Sequence, residues 1–138
     1  MTLAQIAEEA RVTLGAGLVT AMRFDAASMT VRRVFSSNEA AYPVGGSKPK
    51  RDTPWGKHVL TERKVFVGEG EAAIRAMFDD AEVIFGLGQR SIVNVPLLQG
   101  STCIGTLNVL VPRQHWRPGE VEIVKRLAEK AAAAMIAL

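Results

Sequence analysis

Apolar residues recur at helical intervals at both ends of the chain and alternate with polar ones in between. Leu3, Ile6, Ala7, Ala10 and Leu14 fall three or four apart, with Thr2 and Gln5 at capping-box spacing ahead of them and Gly15 and Gly17 behind. At the far end Pro118 and Glu120 open a second helix, whose stripe is Val121, Val124, Leu127, Ala128, Ala131 and Met135. Leu18 to Phe24 and Thr30 to Ser36 are short runs rich in β-branched and aromatic residues, and they predict a hairpin. From Ser37 to Thr53 the density of breakers (Asn38, Pro43, Gly45, Gly46, Pro49, Asp52) predicts a long loop without regular structure. Thr53 can cap a helix with Pro54 in its first turn and Trp55, Val59 and Leu60 on one face. A short strand at Val65 to Val67 follows, then one or two short helices within Glu71 to Leu87, interrupted around Asp79 and Asp80. Two longer strands, Ser91 to Leu98 and Thr102 to Val111, are joined by a tight loop through Gly100. Terminal helices flanking a mostly antiparallel sheet define an α+β class. A length of 138 residues suits one core, so residues 1–138 read as a single domain with the long loop inserted over it.

The last hairpin can be read face by face. Side chains alternate along a strand, so Val93, Val95 and Leu97 share a face with Cys103, Gly105, Leu107, Val109 and Val111. That face is nearly all apolar and suits the two terminal helices. The opposite face carries Ile92, Asn94, Pro96 and Leu98 beside Ile104, Thr106, Asn108 and Leu110, a mixture that a dry core would satisfy only at a cost. Such a mixture suits the wall of a cavity roofed by the middle helices and the long loop. If the loop through Gly100 spans five residues, Asn94 stands directly across from Asn108. The two amides can then bond each other or contact a ligand.

Composition narrows the function. At 48% hydrophobic and 22% charged residues the chain is of ordinary globular type. Its net charge of +3 is dispersed, without the single basic face or stacking residues expected of a nucleic-acid binder. No apolar run approaches the ~20 residues that a bilayer requires, and no secretory leader is recognisable. One cysteine, Cys103, permits no internal disulfide. A cytoplasmic protein that uses neither membrane nor nucleic acid is expected.

The candidate chemistry is sparse. His58 and Glu62 lie four apart on a predicted helix, but no further ligands are spaced to complete a metal site with them. Asp79, Asp80 and Glu82 read as helix caps and surface charge. His115 reads as an exposed loop histidine, and Cys103 as a buried small hydrophobe. Lys48, Lys50 and Arg51 can attract an anion, although a short basic run in a loop is ordinarily just solvated. No nucleophile elbow, phosphate loop or dinucleotide fingerprint occurs, so no catalytic set, metal or cofactor is expected.

Arg90, Ser91, Val93, Val95, Pro96 and Leu97, then Gly100, Ile104 to Asn108 and Leu110, with Trp116 ahead of a helix containing Glu120, resemble the GAF domains, small ligand-sensing modules of signalling proteins. Tyr42 to Gly46 and Thr53 to Gly56 look like a subgroup of small bacterial members. The resemblance implies a GAF/PAS-like antiparallel sheet of five to six strands, both terminal helices on one face and a ligand pocket on the other. It also implies what this chain lacks. Cys103, placed on the apolar face, is not where a bilin-attaching cysteine stands, the signature of cyclic-nucleotide binders is missing, and one cysteine is too few for the sulfoxide-reducing members.

The expectation is a non-catalytic sensor for a small polar or anionic molecule. Asn94 and Asn108 would orient the ligand on a wall that includes Ile92 and Thr106, Arg90 would supply charge, and Trp55, Tyr42 and Phe78 would supply apolar contacts. The signal would pass to a separate signalling protein or through a homodimer formed by the terminal helices. The rival readings are a redox enzyme on the same scaffold using Cys103 or a carboxylate, and a dimerisation module whose pocket is filled by its own side chains.

Overall fold

The computed structural model describes residues 1–138. Helix α1 (Leu3–Leu14) starts at a capping box, in which the Thr2 hydroxyl accepts the Gln5 backbone N–H and the Gln5 side chain accepts that of Thr2. It ends at Gly15 in the left-handed conformation. Strands β1 (Leu18–Asp25) and β2 (Thr30–Ser36) form the expected hairpin. The supposed loop that follows contains a short strand, β3 (Ser47–Pro49), which pairs with β2 at the sheet edge. All three of its residues are exposed, so no alternation of apolar side chains announces it.

Thr53 caps the next helix as expected, its hydroxyl accepting the Gly56 N–H at 3.0 Å. The body of that helix, Gly56–Thr61, is of π type rather than α. Strand β4 (Phe66–Glu69) is followed by two separate short helices, α2 (Gly70–Met77) and α3 (Ala81–Gly86). Strands β5 (Ser91–Gln99) and β6 (Thr102–Val111) then lead to α4 (Glu120–Ile136). The six strands are ordered β3-β2-β1-β6-β5-β4, every pair antiparallel. β1 and β6 are thus the central pair, with β5 beside β6.

Helices α1 and α4 pack on one face of this sheet. Val93, Val95, Leu97, Leu107, Val109 and Val111 meet Ile6, Ala10, Val124, Leu127 and Ala131 there in one continuous core. At its edge Arg113 donates to both carboxylate oxygens of Glu120 at 2.9 Å and to the Leu14 carbonyl at 2.8 Å, tying the end of α1 to the start of α4. Burial opposes ionisation of Glu120, but the Arg113 pair and the Arg117 backbone N–H outweigh it and hold the carboxyl below its usual range.

The register of the central hairpin places Asn94 opposite Asn108. It reaches that register by a tighter route than a five-residue loop: a turn through Gly100 and Ser101 plus a bulge that leaves Ile104 unpaired. The bulge reverses the alternation beyond it. Ile104 packs toward the terminal helices, while Cys103 packs beside Trp55, Val59 and Leu60 on the opposite face. The placement of Cys103 on the apolar face is therefore corrected, because strict alternation does not survive an extra residue.

Candidate functional site

On the second face of the sheet Trp55, the segment from Phe78 to Ile84 in α3, and the β2–β3 segment with Lys50 enclose a cavity of about 290 Å³. This lies at the small end of ligand pockets, which span ~300–1,000 Å³. Its floor is a chain of side-chain hydrogen bonds laid across three strands. Trp55 Nε1 donates to Asn94 Oδ1 at 3.1 Å, Asn94 Nδ2 to Asn108 Oδ1 at 2.7 Å, and Asn108 Nδ2 to Thr20 Oγ1 at 3.0 Å. All four side chains are buried. The direction of the chain is dictated by its first member, since an indole N–H can only donate. Each amide must present oxygen toward Trp55 and nitrogen toward Thr20. The Thr20 hydroxyl, already accepting, has its own proton left to donate.

The roof supplies aromatic rings and charge. Tyr42 donates its phenol proton to Asp80 at 2.7 Å, and burial together with that carboxylate pushes the phenol's pKa upward, so it stays neutral. The Arg33 guanidinium lies 4.9 Å from the centre of the Tyr42 ring. One of its terminal nitrogens donates to the Pro43 carbonyl, while its Nε is buried without a partner. Lys48 pairs with Asp79 at 2.9 Å on the exposed rim. The Lys50 ammonium sits 5.2 Å from the centre of the Trp55 ring and has no acidic partner. Burial, reinforced by Lys48, lowers its pKa.

The backbone of Lys50 is fixed from both sides. Its N–H donates to Met29 at 2.7 Å, and its carbonyl accepts the Thr53 hydroxyl at 2.8 Å. A side chain at Gly56 would collide with that carbonyl, so the glycine is what lets the helix approach the loop.

The family profile of the GAF domain matches residues 1–135. The chain belongs to the GAF domain family. No curated protein sequence matches this GAF domain significantly. Among solved structures it is similar to the GAF domain of a two-component sensor histidine kinase from Bacillus halodurans, at TM-score 0.78 and 12% identity, covering 98% of this chain and 91% of that one. It is also similar to residues 122 to 287 of a methyl-accepting chemotaxis protein, at TM-score 0.69 and 23% identity, covering 96% and 85%. A far-red cyanobacteriochrome photoreceptor aligns at TM-score 0.72 and 14% identity, covering 99% and 85%. These likenesses carry the fold. GAF domains are typically small-molecule-binding sensor domains of signalling proteins, and no helix of this one is long and apolar enough to cross a membrane.

Of the residues expected at the site, Asn94, Asn108, Ile92, Trp55, Tyr42 and Phe78 line the cavity together. Arg90 does not: it pairs with Glu71 at 2.9 Å and donates to the carbonyls of Phe85 and Gln89, outside the lining. Its charge is spent on holding α2 and α3 to the sheet. Thr106 is on the pocket side of β6 but fully buried and outside the lining, near the bulged end of the hairpin. Asp80, expected as a helix cap, makes no side-chain capping bond and instead accepts the Tyr42 hydroxyl in the cavity wall. Thr20 and Arg33 enter unannounced. They lie on the pocket side of the first hairpin, and the alternation of faces along β1 and β2 is the signal that finds them.

The remaining chemistry is dispersed. His58 Nε2 faces the Val65 carbonyl at 2.9 Å and Glu62 pairs with Lys64, so the two do not share a ligand. Exposed His115 meets Glu69 at 2.8 Å. Cys103 is buried, which raises its thiol pKa, and it lies outside the cavity lining.

Proposed function

We infer that this GAF domain is a non-catalytic sensor that takes one small polar or anionic molecule between the Asn94–Asn108 floor and the roof from Tyr42 to Ile84. The observation that carries this reading is the oriented floor. Four buried polar side chains satisfy one another in a single direction and end on a hydroxyl at the cavity. A dimerisation module would have its own apolar side chains there instead. The absence of turnover is argued from the same lining, where Asp80 is engaged by Tyr42, the histidines lie elsewhere and Cys103 is covered. Ligand binding would tighten the roof, and the change would leave through the sheet to α1 and α4 and on to a partner protein or a second copy.

The test is a thermal-shift screen of the purified chain against metabolites of differing charge. A ligand at a hundred times its dissociation constant adds about 2.7 kcal/mol, enough to raise the melting temperature by several degrees. A shift that disappears in Asn108→Leu supports the reading. Shifts that survive that substitution, or none from any compound, overturn it.

A further inference from the structure

The cavity has two chemically distinct poles, and this inference, which rests on the cavity being the ligand site, concerns what fits between them. The first pole is the end of the floor. Thr20 is 6% exposed, accepts from Asn108, and has no acceptor for its own proton. Because Trp55 imposes the direction of the whole chain, Thr20 cannot be supplied by a reversal of the amides. Its proton calls for an acceptor on the ligand, such as a carbonyl or ether oxygen.

The second pole is cationic. Arg33, Lys48 and Lys50 line the cavity with one carboxylate, Asp80, among them. Lys48 is neutralised by Asp79 just outside. The three cations thus face two carboxylates, Asp79 and Asp80, which leaves one positive charge uncompensated in a partly buried site. Arg33 and Lys50 retain unused donors, the Arg33 Nε and the Lys50 ammonium. A single negative charge balances this pole, whereas a dianion would leave an excess of its own. The two poles are joined by one side chain, since the Trp55 indole bonds the floor through its edge and carries Lys50 over its face. Between them the walls are apolar: Leu18, Ile84, Ile92, Leu110 and Phe78.

We propose that the ligand class of this cavity is a small organic monoanion, a carboxylate of the oxo-acid type, with its charge at Lys50 and Arg33, an apolar body, and a hydrogen-bond acceptor at Thr20.

The test is calorimetric titration of the whole chain with a matched panel: oxo-carboxylates of four to eight carbons, aliphatic and benzoic, beside the same acids without the oxo group, neutral ketones of the same skeleton, the corresponding dicarboxylates and alkylammonium ions. The expected result is that an oxo-carboxylate binds at least tenfold tighter than its desoxy, neutral and dianionic counterparts. Lys50→Gln should remove the preference for the acid over the ketone, and Thr20→Val the preference for the oxo over the desoxy acid, with Thr20→Ser restoring it. Neutral ketones, dianions or ammonium ions binding as tightly as the oxo-acids would overturn the class while leaving the cavity a ligand site. Binding of the oxo-acids with discrimination unchanged in both variants would overturn the two-pole assignment. If no compound of any charge binds, the reading of the cavity falls with it.

Discussion

The two faces of the β5–β6 hairpin are built from alternate residues of the same strands, one step apart in sequence, yet they serve opposite ends. Toward α1 and α4, Val93, Val95, Leu107 and Val109 join a continuous core of 21 buried residues. Toward the roof, the buried apolar residues fall into two smaller clusters of 6 and 5, with the cavity and the Asn94–Asn108–Thr20 chain between them. The first face gains its stability from close packing. On the second, polar side chains hold one another in position and leave space unfilled. A sheet can thus be kept rigid from one side and open from the other, which is what a binding wall requires.

The largest loss is expected on the packed face. Leu107→Ala removes a side chain that is 1% exposed at the heart of the larger core and should cost about 2–5 kcal/mol in denaturant unfolding. A cost below about 1 kcal/mol would mean that this core can collapse and is not the rigid side.

The edge of the same face is held by charge. Glu120→Ala leaves Arg113, itself partly exposed, without its acid and should cost about 1–3 kcal/mol at neutral pH. Because the folded Glu120 carboxyl is held below its unfolded value of about 4.3, its contribution is complete above that pH and is lost as pH falls through the folded value. Wild type and variant should therefore converge on acidification. A gap that stays constant down to pH 2 would assign the loss to packing instead.

On the cavity face, Asn108→Leu strands the Asn94 amide and the Thr20 hydroxyl, and about 2 kcal/mol of stability should go with them. Ligand-induced stabilisation should vanish in the same variant. The smallest effect belongs to the rim: Lys48→Ala removes an exposed pair with Asp79 and should change folding stability by less than about 1 kcal/mol. A larger loss would make β3 a structural strand rather than a carrier of roof residues.

Legibility in the sequence follows the same division. The hairpin faces and the Asn94–Asn108 pairing could be read because alternation is an undisturbed period of two between Ser91 and Leu97. Cys103 escaped because the bulge at Ile104 reverses that period within one residue. β3 escaped because a strand exposed on both sides has no hydrophobic pattern to betray it. Without β3, Lys48 and Lys50 read as a basic run in a loop, although the pairing of Lys48 with β2 and the bonds of the Lys50 backbone to Met29 and Thr53 bring them over the cavity. Arg90 was misplaced for a different reason. Its position beside the hairpin was correct, but which neighbour would claim its guanidinium depended on Glu71 and the carbonyl of Phe85, contacts between elements that local pattern does not encode.

If the polar face holds the ligand, its side chains must sense binding first. The most direct measurement is a two-dimensional nitrogen–proton titration of labelled protein with the tightest oxo-carboxylate of the panel. The Trp55 indole N–H and the side-chain amides of Asn94 and Asn108 should shift together and saturate, while the backbone amides within α1 and α4 move little. Saturable binding that leaves those three side chains unmoved, with the shifts gathered on the terminal helices, would contradict it.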